Sequence, residues 1–452
     1  MTAVHAFPYE ADLLAACRDE PGLFPFLLES AARGGAQGRH DILFVRPDPE
    51  MLVLHADGRL TGPHADASAG DFLTALDRWW KAERSPAARR DGEALFRGGW
   101  FLYLGYELIG QIEPSLKLAR GRDLPVAFAA RTPAALVRDH RTGTVTYVAE
   151  SGTDPALAAR LSAILRRGPV QETSALAGGL GEEEPERYLQ QVTQARHYIY
   201  EGDIFQANLS RRWSAELSPD ATTAGLYARL RRANPAPFAG LALYGDSAII
   251  SSSPERLVSI SGRRVDTRPI AGTRPRSTDP DRDEALIREL IENPKERAEH
   301  VMLLDMERND LGRLAEPGSV KVDELMVVES YTHVHHIVSN VCAQLRPGTT
   351  PAQVIRAVFP GGTITGCPKV RCMQIIAELE QGSREAYTGA MGWLDRDGDM
   401  DLNILIRTLV QKGRRLEFRA GAGIVADSVP ERELEETRAK ARGLARALGA
   451  DA

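Results

Sequence analysis

Residues 185–213, PERYLQQVTQARHYIYEGDIFQANLSRRW, decide the fold because they join a helix to a strand through one glycine. Apolar side chains recur at helical spacing from Tyr188 to Ile199, which predicts an amphipathic helix with one buried face. Gly202 stands at the C′ position of that helix, and the run IFQANLSRRW after it is typical of a strand.

Short apolar runs lie on both sides of this unit. Before it, DILFVRP, MLVLHADG, GGWFLYLGY and TVTYVAE are typical of strands, and residues 67–81 predict a helix. After it, residues 283–311 and 430–448 predict further helices between strand-like segments. Many strands that look antiparallel favour an α+β fold of layered sheets with outer helices over a doubly wound sheet.

Composition divides the chain into three segments and indicates which class of protein it belongs to. We predict an N-terminal region at 1–167, a Gly-, Ser- and Glu-rich linker at 168–184, and a second domain at 185–452. A hydrophobic content of 43% and a net charge of −6 are typical of a soluble globular protein that binds neither nucleic acid nor an anionic membrane. Four scattered cysteines and the lack of a signal peptide predict a cytoplasmic enzyme.

Two predicted helices each begin with a pair of glutamates spaced three residues apart. Glu296 and Glu299 follow the potential N-cap Asn293, and Glu433 and Glu436 lie in PERELEET. This spacing places both carboxylates of a pair on one helix face, so two such helices could hold Mg²⁺. On spacing alone, solvated glutamates on exposed helix faces are the commoner explanation.

Two glycine-rich stretches and one arginine together indicate a pocket for a small polyanion. FPGGTITGCPK at 359–369 precedes a predicted helix, and GAGIVADS at 421–428 predicts a second turn that presents backbone N–H groups. Arg407, inside the strand-like NILIRTLV, is costly to bury unless an anion pairs with it. Each feature alone also fits a structural turn or a surface arginine.

From Gly202 onward the sequence resembles the chorismate-utilising enzymes: anthranilate synthase component I, aminodeoxychorismate synthase component I, isochorismate synthase and salicylate synthase. The matching stretches are GDIFQANLSRR, SSSPERL, TRPIAGTRPR, KERAEHVMLLDMERNDLGR, VESYTHVHHIVS, FPGGTITGCPKVR, DLNILIRT and AGAGIVADSVPERELEETRAKA, in this order over about 240 residues. The N-terminal third matches more loosely, through LLES and GGWFLYLGYEL. The resemblance implies two packed, mostly antiparallel sheets with outer helices, and chorismate bound deep between the sheets.

The resemblance also implies roles for individual residues. Glu255 of SPE corresponds to the general acid that protonates the departing C4 hydroxyl, and His336 lies near the reacting ring. The four glutamates would surround Mg²⁺, with Glu299 and Glu436 as its main ligands. The residues implied to contact chorismate or line its site are Thr363, Tyr387, Arg407, Gly421, Gly423 and Lys440.

Two positions bear on which reaction the chain performs. Water-using members carry a lysine where this chain has Gln206, so the resemblance favours ammonia as the nucleophile. Asn208, SPER, VHH at 334–336 and PGG at 360–362 are similar to aminodeoxychorismate synthase. Ala271 in PIAGT instead resembles anthranilate synthase, because aminodeoxychorismate synthases carry a lysine there that attacks C2 before amination at C4.

We therefore expect Mg²⁺-dependent amination of chorismate at C4, by direct attack or through a nucleophile other than residue 271. The alternative is amination at C2 with release of pyruvate, as in anthranilate synthase, and a third reading is an inactive homologue that binds chorismate or tryptophan. No cysteine has a nucleophile-elbow context, so the resemblance implies a separate glutamine amidotransferase subunit, component II, as the source of ammonia. Residues that resemble tryptophan-binding elements are Leu28, Glu29, Ser30, Asn234, Pro235 and Phe238.

Overall fold

Two antiparallel sheets of eleven strands each form the centre of the structure, a computed structural model. It describes residues 7–32, 37–46, 50–66, 70–85, 95–173, 176–331 and 334–450. In chain order the strands are β1 Phe26–Glu29, β2 His40–Val45, β3 Met51–Leu54, β4 Leu60–Thr61, β5 Gly99–Leu104, β6 Ala127–Thr132, β7 Ala134–Asp139, β8 Thr144–Ala149, β9 Gly181–Glu182, β10 Gln206–Glu216, β11 Phe238–Tyr244, β12 Ser247–Ser253, β13 Arg256–Ser261, β14 Arg264–Arg268, β15 Ile270–Pro275, β16 Lys321–Ser330, β17 Val334–Gln344, β18 Gly366–Cys367, β19 Ala390–Asp395, β20 Met400–Asn403, β21 Thr408–Lys412 and β22 Arg415–Ile424.

Eleven α-helices of the described residues accompany the sheets. They are α1 Leu14–Asp19, α2 Phe72–Glu83, α3 Ile109–Ile112, α4 Ala156–Leu165, α5 Pro185–Tyr200, α6 Thr223–Ala233, α7 Pro280–Glu292, α8 Pro294–Gly312, α9 Pro351–Val358, α10 Lys369–Glu380 and α11 Pro430–Leu448. Short 3₁₀ turns lie at Tyr106–Leu108 and Gly362–Ile364. No helix within the described ranges is both long and apolar enough to cross a membrane.

The strand order shows that the two sheets are built from the whole chain. The first sheet runs β18-β10-β22-β21-β12-β11-β1-β2-β7-β8, with β9 beside β10. The second runs β15-β17-β14-β13-β20-β19-β5-β6-β3-β4, with β16 beside β17. Strands from 1–167 and from 185–452 therefore share both sheets, and β9 falls inside the predicted linker at 168–184. The domain boundary at 168–184 stays a prediction, and it does not coincide with a division between the two sheets.

Four apolar clusters among the described residues hold these layers together. Between the sheets, Phe26 of β1 stacks on Phe101 of β5 with ring centroids 4.1 Å apart. The outer face of the first sheet packs on α1, α4, α6 and α11, and the outer face of the second packs on α2, α8 and α9. The predicted α+β fold of two packed, mostly antiparallel sheets with outer helices is confirmed. Strands β10 and β22 lie near one end of the first sheet, and β15 and β17 lie at one end of the second.

The predicted helices and strand around residues 185–216 and 430–448 are confirmed, because short-range sequence patterns determine them. α5 buries Tyr188, Val192 and Ala195, Gly202 has φ +84°, and β10 follows at Gln206. Residues 430–448 form α11 as predicted. Of the predicted helix at 67–81, residues 67–69 lie outside the described part, and α2 covers 72–83.

The helices predicted at 283–311 are confirmed as α7 and α8, with Asn293 between them as the C-cap of one and the N-cap of the other. Two other predictions need correction. NILIRTLV is not one strand, because Arg407 adopts φ +53° between β20 and β21. Gly421 and Gly423 lie in β22 rather than in a turn, because β22 pairs with β10 from Ala207 to Glu216 and needs both glycines extended there.

Candidate active site

Contacts between predicted site residues connect the two sheets. Tyr387 Oη lies 3.5 Å from Asn208 Oδ1 on β10 and beside Gly421 on β22. Its neighbour Arg407 acts electrostatically on Tyr387 and on His336 of β17 in the second sheet. The structure thus brings together residues that the sequence separates by about 200 positions.

Glu255 has the environment of a general acid. Its side chain is buried, and its main-chain oxygen accepts a hydrogen bond from Ile404 N at 3.0 Å, which fixes the residue between β12 and β13. Burial raises the pKa of its carboxyl to about 7, against the opposing effects of Thr363 and of Ile270 N, which lies 3.4 Å from Glu255 Oε1. A large fraction of this carboxyl is therefore protonated at neutral pH and available to a leaving group.

His336 is held as a neutral ring. Its Nδ1 lies 2.9 Å from Thr273 Oγ1 of the paired strand β15, and only 7% of the residue is exposed. Burial, with a smaller effect of Arg407, lowers the pKa of His336 to about 4. At neutral pH the ring offers a polar, uncharged contact; sequence reasoning did not identify Thr273, although the alternation of β15 could have placed it beside His336.

Arg407 carries a charge without a protein counter-charge. No carboxylate within the described ranges lies at ion-pair distance from its guanidinium, and burial lowers its pKa. A Cβ atom at Gly421 would lie 2.6 Å from Tyr387 Oη, so the glycine allows Tyr387 to approach β22. An uncompensated guanidinium beside a tyrosine hydroxyl suits an anionic ligand such as a carboxylate.

Gln206 and Ala271 lie on strands that border the same end. Gln206 is buried at the start of β10, with its Nε2 against Gly423 and its Oε1 without a hydrogen-bond partner. Ala271 of β15 pairs with Ile337 and contributes no functional group. Lys440 of α11 donates from Nζ to Gly421 O at 2.9 Å.

The glutamate pairs lie at two helix beginnings that approach each other. Asn293 Oδ1 accepts hydrogen bonds from Lys295 N and Glu296 N, which confirms it as the N-cap of α8. Lys295 Nζ lies 3.2 Å from Asp427, in the turn before α11. Burial raises the pKa of Glu299, and the nearby charge of Lys295 opposes this rise.

Negative charge accumulates at this junction. The carboxylates of Glu296 and Glu436 add to the raised pKa of Glu299, and burial, with a contribution from Glu436, raises that of Glu433. Glu296 binds Arg274 at 2.7 Å through Oε1, whereas its buried Oε2 has no hydrogen-bond partner. An unpartnered carboxylate oxygen among mutually repelling acids fits a bound divalent cation.

The four glutamates do not form a closed ligand set. Within the described part of the chain, no three of them have ligand oxygens within 4.8 Å of one another. The group that does so is Asp266, Asp323 and Cys342. Arg264 and Asn340 bond to both acids of that group, so their hydrogen bonds and charge already satisfy it.

A cavity of about 240 Å³ is lined by strands of both sheets and by none of these residues, and we call it the Ser30 cavity. Of the residues predicted to bind tryptophan, Leu28, Glu29, Ser30 and Phe238 line it. Asn234 and Pro235 do not; Asn234 instead donates to Ser252 Oγ at 3.2 Å. Lining residues that sequence reasoning did not assign to this pocket include Arg256, Trp393 and Asp401.

Proteins of known family are similar to this chain in sequence and in fold. The model of the chorismate binding enzyme family matches residues 34–446. Aminodeoxychorismate synthase component 1 of Bacillus subtilis is 41% identical over 440 residues, covering 93% of this chain and 91% of the relative. Anthranilate synthase component 1 of Thermus thermophilus is 42% identical over 433 residues, covering 94% and 92%. The crystal structure of anthranilate synthase component I from Streptococcus pneumoniae superposes with a TM-score of 0.79 at 32% identity, over 91% of this chain and 93% of that one.

Proposed function

Because this chain belongs to the family of chorismate-binding enzymes, we propose that it aminates chorismate with ammonia at C4 to give 4-amino-4-deoxychorismate, a precursor of 4-aminobenzoate in folate synthesis. The observation that carries this proposal is Glu255, a buried carboxyl with a pKa of about 7 in the same site as an uncompensated arginine. One group suits the departing hydroxyl of chorismate, and the other suits a carboxylate of the same molecule.

The site residues divide the work of this reaction. Arg407 and Tyr387 hold a carboxylate of chorismate, and Glu255 donates its proton to the C4 oxygen as the C4–O bond breaks and water leaves. The nitrogen of ammonia forms the new bond to C4 and gives up one proton, which restores the acid form of Glu255. Gln206 supports ammonia over water, because its amide cannot take the proton that water must lose, while its free Oε1 accepts a hydrogen bond from ammonia.

A divalent cation would add positive charge beside a chorismate carboxylate. Glu296, Glu299, Glu433 and Glu436 are the residues that would hold Mg²⁺, as the unpartnered Glu296 oxygen and the repulsion at Glu299 support. Lys440 lies between these acids and the site, 2.8 Å from Glu436 and hydrogen-bonded to Gly421. This hydrogen bond would hold α11 against β22.

Anthranilate synthase activity is the second candidate, and Ala271 is the observation that favours it. In that reaction the nitrogen bonds to C2, the C4 hydroxyl leaves, and pyruvate is then eliminated. Ala271 provides no amine to attack C2, and the T. thermophilus relative is as similar as the B. subtilis one. Support for C4 comes from Asn208, SPER, VHH at 334–336 and PGG at 360–362.

We also propose a separate glutamine amidotransferase subunit as the source of ammonia. Both relatives bear the name component 1, which fits a chain that works with a second component. The four cysteines are buried or partly buried, and none lies in a nucleophile elbow. For the Ser30 cavity we propose tryptophan, supported by its apolar walls and the Arg256–Asp401 ion pair.

Product identity tests the proposal. Purified protein is incubated with chorismate, Mg²⁺ and ammonium salt at alkaline pH, and the products are separated by chromatography with mass detection. A product with the mass of aminodeoxychorismate, converted to 4-aminobenzoate by the matching lyase, is the expected result. Fluorescent anthranilate with pyruvate would establish the second candidate, and no turnover of bound chorismate would favour an inactive homologue.

A further inference from the structure

A buried arginine outside the predicted site connects several of its parts. Arg384 lies between α10 and Tyr387 and is 3% exposed. Its guanidinium stacks between two rings, 4.9 Å from the centroid of Tyr106 and 5.4 Å from that of Tyr387. Such stacking fixes the plane of the tyrosine ring, since a guanidinium is itself planar and rigid.

The hydrogen bonds of Arg384 reach two other site segments. One terminal nitrogen donates to Asn208 O of β10 at 2.7 Å, and the other lies 3.4 Å from Ile364 O, next to Thr363. Asn208 is the residue whose side chain meets Tyr387 Oη. One guanidinium therefore holds both members of that contact, through the ring of one and the main chain of the other.

Two acids hold Arg384 in this position. Glu380 accepts from Arg384 at 2.6 and 2.9 Å and also from Arg419 of β22 at 3.0 Å. Burial acts to raise the pKa of Glu380, but Arg384 and Arg419 hold it below its ordinary value. Glu107 accepts from Arg384 N at 2.7 Å, so the main chain before Tyr387 is fixed as well.

We propose that Arg384 is a positioning residue, which sets Tyr387 Oη against Asn208 and Gly421 for contact with the substrate carboxylate. The inference rests on the proposed function, because it assumes that Tyr387 contacts chorismate. Arg384 itself contacts main-chain oxygens, Glu380, Thr388 Oγ1 and two rings, so it acts through Tyr387 and does not touch the substrate. A lysine at this position retains a charge for Glu380, but it loses the stacking on the two rings and the second of the two hydrogen bonds to Glu380.

A double-mutant cycle in the full chain tests this inference. Arg384→Lys is compared with wild type, and Tyr387→Phe,Arg384→Lys is compared with Tyr387→Phe, using chorismate, Mg²⁺ and ammonium. We expect Arg384→Lys to lower kcat/KM for chorismate about 30-fold, mainly by raising KM, when the hydroxyl is present. In the Tyr387→Phe background, which lacks the hydroxyl, the same change should lower kcat/KM for chorismate less than about 5-fold. Equal losses in both backgrounds would overturn the proposal.

Arg131→Lys is the matched control for a general effect on stability. Arg131 stacks on Trp100 at 5.1 Å and binds Glu83 and Glu150, far along the second sheet. Its variant should lose a similar amount of thermal stability and keep its KM; an equal rise in KM would also overturn the inference. If wild type binds chorismate without turnover, the proposed function fails, and the same cycle measured by calorimetric binding still decides the role of Arg384.

Discussion

The candidate active site and the Ser30 cavity lie between the same two sheets, and they treat charge in opposite ways. In the cavity, Arg256 forms a bidentate pair with Asp401 at 2.8 and 2.9 Å. In the active site, Glu255 has no ion-pair partner among the described residues, and neither has Arg407. Arg256 is thus compensated within the protein, whereas the proposed function leaves the charge of Arg407 to be compensated by a ligand.

The contrast is sharpest at two consecutive residues. Glu255 belongs to the candidate active site, whereas Arg256, the first residue of β13, lines the Ser30 cavity. Successive side chains of an extended segment point to opposite sides. One dipeptide therefore serves both sites, and substitutions at its two positions separate their contributions.

The largest expected effect is on Glu255. Glu255→Gln should lower turnover about 10³-fold, because it removes the proton that the leaving hydroxyl needs, while chorismate binding measured by calorimetry stays within about 3-fold. Glu307→Gln is the control, since Glu307 is also buried with a pKa raised to about 7 and acts on Glu255 only through its charge; this variant should lose less than about 10-fold in turnover. Normal turnover by Glu255→Gln would show that the general acid is another group.

The next effect compares the two arginines. Arg407→Met should raise KM for chorismate about 100-fold, because a charged hydrogen bond to the substrate is lost. Arg256→Met removes an arginine that Asp401 already compensates, so its KM for chorismate should change less than about 3-fold. Steady-state kinetics at saturating ammonium measures both; a larger effect at Arg256 would reverse the assignment of the two sites.

The sequence predicted the elements that neighbouring residues determine. α5, the glycine at 202, β10 and α11 follow from apolar spacing and helix caps, which act over a few residues. Arg407 was misjudged because its positive φ depends on packing between β20 and β21. Gly421 and Gly423 were predicted as a turn because two glycines in a strand make sense only once Tyr387 and Gln206 are seen against them.

The site was predictable only in part for a similar reason. Family resemblance predicts site roles for Glu255 and His336, but no local pattern indicates that Arg384 contacts Tyr387 or that Thr273 contacts His336. These contacts join segments that lie far apart in sequence, and their spacing carries no periodic signal. The predicted Mg²⁺ and tryptophan sites stay predictions.

A smaller effect is expected at the glutamates. Glu436→Ala should raise the Mg²⁺ concentration for half-maximal turnover about 10-fold, because it removes one carboxylate from the junction of α8 and α11. Glu435→Ala, next along the same helix, is the control, since Glu435 is exposed and binds Arg438. An unchanged Mg²⁺ titration for Glu436→Ala would exclude that residue as a ligand.

The smallest effect concerns stability. The pKa of Glu255 is about 7 in the folded chain against an ordinary value of 4.5, so the folded state binds this proton more tightly and loses stability as pH rises between these values. The full difference, reached above pH 7, is on the order of 3 kcal/mol. Glu255→Gln should therefore melt a few degrees higher than wild type at pH 8 and close to it at pH 4.5.

Arg256→Met provides the reference for this pH dependence, since an arginine keeps its charge throughout the range. Its melting temperature should differ from that of wild type by the same amount at pH 4.5 and pH 8. If Glu255→Gln also shifts equally at both pH values, the carboxyl does not titrate between them. Glu255 would then not be the buried, titrating carboxyl that distinguishes the candidate active site from the Ser30 cavity, where Arg256 is paired with Asp401.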